Sequence, residues 1–422
     1  MQAYRFRAEP LPIQQRWAAK VTGANRWIYN EGRKYCIYEY RLTGNYPGYV
    51  ALCKKLTEWR AQHPWLREGV CDAQQQVLAD LDNAYKRFFK KLGDFPKKKT
   101  RKKSTSAMRF PQGAKIKLEK LSKKDSALYL PKIGRLRFRQ SRKIEGKIRS
   151  VTLKRDRCFN WDILVLTDHE PVDSKAFATD SEVGIDMGVA RTATLSDGTF
   201  FKVPTPSKRD AAHLAKLQRR LARRTKDSKR HGRARLAIAK FHKTWQDRRN
   251  DTLHKQTSKI TRENQAIYVE DLKVKNMTKR CKGKGRAAKA GLNKVILQQG
   301  WGMAREMLKY KSLRRNRVFD KVNPAYTSQE CSKCHHIDSL NRVSQAVFCC
   351  VKCEHTENAD ANAAKNIKAA GQAASARGRS VRPVKSSTSV RSILANRLKR
   401  EPVGTSSAGL IPAEPCPGIL CL

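Results

Sequence analysis

Apolar residues recur along this chain with two different periods, and the changes of period divide it into blocks. Near the start, Tyr4-Arg5-Phe6-Arg7 alternates apolar and basic residues, the pattern of one short strand, and Pro10 and Pro12 end it. From about Ile13 to Leu92 the spacing lengthens to three and four. Trp17, Val21, Ala24, Trp27 and Ile28, and later Val77, Leu78, Leu81, Ala84, Tyr85, Phe88 and Phe89, form helical stripes. A small helical domain is predicted, and because its aromatic residues fall on the apolar stripe they are assigned to the core. Between Arg109 and Thr167 the alternation returns in Leu136-Arg137-Phe138-Arg139, Ile148 to Leu153 and Trp161 to Leu166, divided by Pro131, Gly134 and Gly146. These segments predict a small antiparallel β-barrel or sheet with one basic face.

A run of acids, serines and Pro171 from Asp168 to Glu182 reads as a linker. After it, Val183 to Val189 forms an apolar strand carrying the single acid Asp186, followed by Thr192 to Leu195, the turn Asp197-Gly198, and Phe200 to Val203. That succession is how an RNase H-like sheet begins. Residues 207 to 262 read as long basic helices with Leu214, Leu217 and Leu221 on one stripe and Leu236, Phe241 and Trp245 on a looser one. Ala266 to Val269 predicts a buried strand running into Glu270 and Asp271. Residues 275 to 290 are rich in Gly and Lys and predict a basic loop, Asn293 to Tyr310 a helix, and Val318 to Val322 a last strand. Beyond about Gly371 no period survives, and a disordered basic tail is expected over 371–422.

Charge changes this picture most. Over 422 residues, 90 Lys and Arg face 37 Asp and Glu, a net charge of +53 that would repel itself in a compact object without a polyanion. Nucleic acid is the natural partner. Arg219, Arg220, Arg223 and Arg224 on exposed helix faces suit phosphate backbones, and Lys97, Lys98 and Lys99, with Arg101, Lys102 and Lys103, form a charge run that is either a solvated loop or a phosphate clamp. No apolar run approaches eighteen residues and the start lacks the apolar core of a signal peptide, so no membrane is implied and a cytoplasmic protein is expected. Twelve cysteines fit a reducing compartment, where thiols bind metal.

The chemistry concentrates between Tyr326 and Ile367. Cys331 and Cys334 form one C-x2-C pair, Cys350 and Cys353 a second, with fifteen residues between them. This is the spacing of a ribbon that closes one structural Zn²⁺ with four thiolates and leaves no open position for catalysis. Cys349 has the wrong offset and is read as a spare thiol. Seven residues past the last ligand, Asp360 precedes Asn362, Ala363 and Ala364 in a run of good helix propensity. Asp186 sits amid Val, Ile and Met, where a carboxylate stays charged only if hydrogen-bonded or metal-bound, and metal ligation is the preferred reading. Glu270 and Asp271 remain open alternatives on their own, one a ligand and the other a helix cap. Three separated acids on one sheet suit two Mg²⁺ ions and phosphodiester hydrolysis.

The stretch YTSQ-x-C-x2-C, then Phe348, Cys350 and Cys353, then Asp360 to Ala364, resembles the C-terminal signature of the transposon-encoded TnpB proteins, relatives of the compact type V CRISPR nucleases. The likeness runs from roughly residue 1 to 370. It implies a multidomain α+β chain: a split OB-like β-barrel wedge domain (1–16 and 100–170), a helical recognition domain (17–99), an RNase H-like RuvC nuclease domain (181–325 and 355–370) and an inserted zinc ribbon (326–354). It selects Glu270 over Asp271, so the catalytic acids are Asp186, Glu270 and Asp360. It further implies a guide RNA from the transposon end, a double-stranded DNA target next to a short DNA motif, and cleavage of both strands at one site. A monomer is expected. Asn358 stands where many relatives carry another acid. Two rival readings exist, a non-catalytic nucleic-acid-binding transposition regulator, which the three acids disfavour, and an RNase H-fold cut-and-paste transposase, which the ribbon placed just before the third acid disfavours.

Overall fold

The computed structural model describes residues 1–101, 106–169, 180–281, 283 and 285–376. Most of the segment read as a linker, Lys102 and Lys103 of the charge run, and the tail from 377 onward lie outside the described residues.

The first strand finds its partners more than 120 residues away. β1 (Gln2–Ala8) enters the middle of a seven-stranded antiparallel sheet with β2 (Ser106–Phe110), β3 (Lys117–Lys120), β4 (Asp125–Leu130), β5 (Gly134–Arg139), β6 (Ile148–Arg155) and β7 (Trp161–Thr167), in the order β2-β6-β7-β1-β5-β4-β3. Its alternation sets the register. Tyr4, Phe6 and Ala8 are buried, whereas Arg5 and Arg7 point out and meet the carboxylate of Asp162 at 2.6 and 3.7 Å.

Between β1 and β2 the chain makes α1 (Pro12–Thr43), α2 (Gly48–Gln62) and α3 (Cys71–Phe89). Ile28, Leu52, Leu56, Leu66, Leu78 and Leu81 are wholly enclosed between them. The stripe assignment fails at its end. Phe88 and Phe89 are 36% and 50% exposed, because they occupy the last turn of α3, although the rings of Tyr46, Tyr85 and Phe95 reach them.

The second sheet is mixed. β8 (Glu182–Asp186), β11 (Ala266–Glu270) and β12 (Val318–Val322) run parallel, and β9 (Ala193–Leu195) and β10 (Phe200–Phe201) complete it in the order β10-β9-β8-β11-β12. Two basic helices, α4 (Lys208–Ala222) and α5 (Lys229–Glu263), cross from β10 to β11, and the short α6 (Val274–Met277), α7 (Arg286–Gln299) and α8 (Trp301–Arg314) from β11 to β12. Every residue of β11 is buried, as a parallel strand covered on both faces requires. Ile267 and Val269 pack with Leu253, Ile260, Ala304 and Leu308 from α5 and α8, while Ala266 and Tyr268 pack with Ile367 of α9 (Ala359–Ala376). The single helix expected over 293–310 is two helices. It begins earlier, at Arg286, and Gly300 at φ +74° breaks it, because a left-handed residue ends the α-helical ladder. At the other end, α9 continues past Gly371 to Ala376, so the ordered chain extends beyond the expected boundary at 370.

Between β12 and α9 lies a small ribbon whose hairpin is β13 (Val347–Cys349) and β14 (Thr356–Asn358). No described helix is long and apolar enough to cross a membrane.

Candidate functional site

The two C-x2-C pairs fold as two matching turns. The backbone N–H of Cys331 donates to His336 and that of His335 to Cys331; Cys350, His355 and Glu354 repeat the arrangement. The residue after each pair, His335 or Glu354, adopts a positive φ, 59° or 56°. The four sulfurs therefore converge, with Cys331 to Cys353 at 3.7 Å and Cys334 to Cys350 at 3.6 Å. A tetrahedral ion with Zn–S bonds of about 2.3 Å sets its sulfurs about 3.8 Å apart, so the geometry fits. Burial opposes ionisation of Cys350, but the N–H groups of Cys353 and Lys352 and the neighbouring thiols bring its thiol down to about 7, whereas at Cys353 the N–H of His355 is outweighed by the neighbouring thiols and burial, which push it up to about 12; the cluster thus shares its protons unevenly. Cys349 is outside this group and accepts a hydrogen bond from Thr356.

Asp186, Glu270 and Asp360 arrive from three elements: the last residue of β8, the last residue of β11 and the second residue of α9. β8 and β11 are parallel neighbours, so their ends meet at one edge of the sheet. The third acid depends on how closely α9 approaches that sheet. At Gly184 a Cβ would lie 2.1 Å from the carbonyl oxygen of Ala364, and at Gly371 it would lie 2.2 Å from the ring of Tyr268. Glycine at those two contacts lets the helix lie backbone-to-strand across β8 and β11. The G-I-D and N-A-A motifs are thus two halves of one contact. Asn358 caps the helix by accepting from the N–H of Ala361 at 3.3 Å, a role its amide fills without charge.

Burial, then the charges of Glu270 and Asp360, push the carboxyl of Asp186 up to about 7, against the opposing pull of Arg342 and the N–H of Met187. Burial also raises Glu270, whose Oε1 accepts a 2.6 Å hydrogen bond from the Thr327 hydroxyl. Arg342 stands 4.0 Å from Asp360. Three carboxylates brought together from three elements, two of them raising the third, with one guanidinium nearby, form a donor set suited to hard divalent cations. The set is open. Among the described residues the four cysteines are the only group of three or more His, Cys, Asp or Glu whose ligand atoms all lie within 4.8 Å of one another. Asp271 points elsewhere, its half-exposed carboxylate facing Arg305 at 3.4 Å and Lys321 at 3.3 Å.

Sequence gives Thr327, Arg342 and Asn366 no role, and it names Asn362 only as part of the helical run after Asp360. Thr327 lies inside YTSQ and Asn362 inside the N-A-A run, which is a signal of place without role; Arg342 is one arginine among many. The basic candidates separate. Arg219, Arg220 and Arg223 are exposed and Arg224 is half-buried on or just beyond α4, a helix with no buried residue. Lys97 pairs with Asp94 and Lys98 is exposed, but Lys99 lies over the Tyr29 ring at 3.6 Å, with burial lowering its pKa, and its N–H donates to Asn30. Lys99 belongs to the packing of α1, whatever Lys97 and Lys98 bind.

Residues 164–281 match the family model OrfB_IS605, described as "Probable transposase", and residues 301–367 match the "Cas12f1-like, TNB domain". The chain is 38% identical to the "Putative RNA-guided DNA endonuclease InsQ" of Escherichia coli (strain K12) over 91% of its own length and 96% of that protein. It is 34% identical to a "Putative RNA-guided DNA endonuclease" of Streptomyces pristinaespiralis, over 92% and 93%. Among solved structures it is similar to the protein of the "Cryo-EM structure of the Cas12f1-sgRNA-target DNA complex", with TM-score 0.54 and 15% identity over 84% of this chain and 82% of that one, a likeness of fold.

Proposed function

The chain belongs to the transposon-encoded TnpB family, and from that premise we propose that it is an RNA-guided DNA endonuclease that hydrolyses phosphodiester bonds at Asp186, Glu270 and Asp360. The observation that carries this reading is the convergence of the three acids from three elements, close enough that Glu270 and Asp360, after burial, both raise the carboxyl of Asp186. The strand order, with three parallel strands flanked by an antiparallel pair, supports an RNase H-like sheet of RuvC type. In this reading the seven-stranded sheet is the wedge, α1 to α3 the recognition domain, and the four thiolates hold one structural Zn²⁺.

The acids would hold Mg²⁺ through their carboxylate oxygens. Bound there, two such ions would supply an activated water and neutralise charge on the leaving oxygen. The chain itself does the rest. The N–H of Met187 and the hydroxyl of Thr327 orient Asp186 and Glu270, the cap at Asn358 fixes the start of the helix that carries Asp360, and Arg342, beside Asp360, offers a guanidinium that could meet a phosphate. Guide RNA and target duplex answer the net charge of +53.

The test uses the protein purified with its RNA, whose sequence defines a matching duplex, with Mg²⁺ present or chelated. Asp186→Ala, Glu270→Ala or Asp360→Ala should each reduce cleavage by orders of magnitude while RNA binding persists, and double substitutions should be no worse than single ones. Asp271→Asn should remain active. Full cleavage by Asp186→Ala would overturn the assignment, and a wild-type protein that binds its matched duplex without cutting it would leave a nucleic-acid-binding regulator.

A further inference from the structure

The ribbon and the acidic centre share a chain of hydrogen bonds that metal binding at the cysteines does not require. Asn362 and Asn366, one turn apart on α9, are 0% and 4% exposed. Asn362 accepts from the N–H of Ser332 at 2.9 Å and donates to the carbonyl of Glu330 at 2.7 Å. Asn366 donates to the carbonyls of Glu330 at 2.6 Å and Thr327 at 3.0 Å. Thr327, itself 5% exposed, donates its hydroxyl proton to Glu270 Oε1 at 2.6 Å, with the carbonyl of Pro324 a second, longer partner at 3.2 Å. The same helix carries Asp360 at its start. Glu270 is thereby referred to α9, and so to Asp360, through the buried side chains of Thr327, Asn366 and Asn362 and the backbone groups they bond.

We propose that Thr327 is a positioning residue for Glu270, and that Asn366 and Asn362 hold it in register with Asp360, so that the spacing of two acids is set by the face of one helix. The chemistry requires something of this kind. Glu270 and Asp360 come from a strand and a helix with no covalent link shorter than 89 intervening residues, and a divalent ion tolerates little error in where its oxygens lie. A hydroxyl donor to a ligating carboxylate fixes its orientation while leaving the other oxygen free, and loss of such a partner typically costs about 10- to 100-fold in metal affinity or activity.

This inference rests on the reading of the acids as an ion site, and the experiment separates the two. Divalent-ion binding is measured by calorimetry on the RNA-bound protein without DNA, using Mn²⁺ as probe, alongside zinc content and the Mg²⁺ dependence of cleavage. Thr327→Val, nearly isosteric but without the hydroxyl, should weaken Mn²⁺ binding and raise the half-maximal Mg²⁺ concentration by about tenfold or more while one zinc per chain is retained. Thr327→Ser should restore most of the affinity. In a Glu270→Gln background, Thr327→Val should have little further effect. Asn366→Ala, which leaves the hydroxyl in place but frees its segment, should weaken Mn²⁺ binding in the same direction, and it serves as the reporter if Thr327→Val does not fold. Unchanged Mn²⁺ binding in Thr327→Val, or in Asn366→Ala where it is the reporter, would overturn the proposal, as would losses that add to that of Glu270→Gln. If Asp360→Ala itself binds Mn²⁺ like the wild type, the ion-site reading fails instead.

Discussion

At the scale of single residues, the informative quantity is the ionisation of Asp186. Burial and two neighbouring acids raise its carboxyl to about 7, far above the ordinary value near 4. In the metal-free protein the folded state therefore holds this proton more tightly than the unfolded chain does. The stabilisation from that proton is complete below the unfolded value and is lost as pH rises through about 7. Divalent ions should replace it. The rise in melting temperature on adding Mg²⁺ should be larger at pH 8 than at pH 6, and in Asp186→Asn the contrast between the two pH values should shrink; an equal rise at both in the wild type would place Asp186 outside the ion site. Glu270 and Asp271 differ in a way their adjacency hides. One is enclosed and bonded to Thr327, the other half-exposed between Arg305 and Lys321, so Asp271→Asn should change stability by no more than about 1 kcal/mol.

At the scale of elements, α9 decides whether there is a site. It lies close enough to the sheet for Asp360 to join the other acids only because Gly184 and Gly371 lack side chains. Gly371→Ala would drive a methyl into the Tyr268 ring, and Gly184→Ala into the helix backbone. Each should cost about 1–3 kcal/mol or more in thermal or denaturant unfolding. Gly184→Ala should also lose cleavage disproportionately, because relief of its clash moves the helix that carries Asp360. The ribbon is a second element with a local test. Cys334→Ser or Cys353→Ser should lose one zinc equivalent by metal analysis and impair activity, whereas Cys349→Ser should keep both. Equal zinc loss in Cys349→Ser would mean that the register of the ligands is wrong.

At the scale of the whole molecule, charge and connectivity dominate. A net charge of +53 over the whole chain predicts RNA affinity that falls steeply as salt rises, with log K against log salt linear and its slope set by the number of phosphates neutralised. Replacing Arg219, Arg220 and Arg223 together should flatten that slope without altering zinc content or melting behaviour, since α4 has no buried residue to lose; an unchanged slope would remove α4 from the interface. What the sequence determined is what local spacing encodes. The strand β12, the stripes of α1 and α3, the two cysteine pairs and the acid Asp186 amid apolar neighbours follow from period and from the cost of burying charge, and they need no knowledge of distant partners. The assignment of aromatic residues to the core misled at Phe88 and Phe89, where periodicity continues to the exposed end of α3, and at Tyr38, Tyr40 and Trp65, which are exposed as well. What the tertiary structure decided is everything that depends on two segments meeting. β1 slots between β5 and β7, Gly184 receives Ala364, Thr327 reaches Glu270, and Arg342 comes beside Asp360. None of these has a sequence signature, because a hydrogen bond or a missing Cβ at a crossing is fixed by the packing of both partners, and spacing along one chain carries only half of that information.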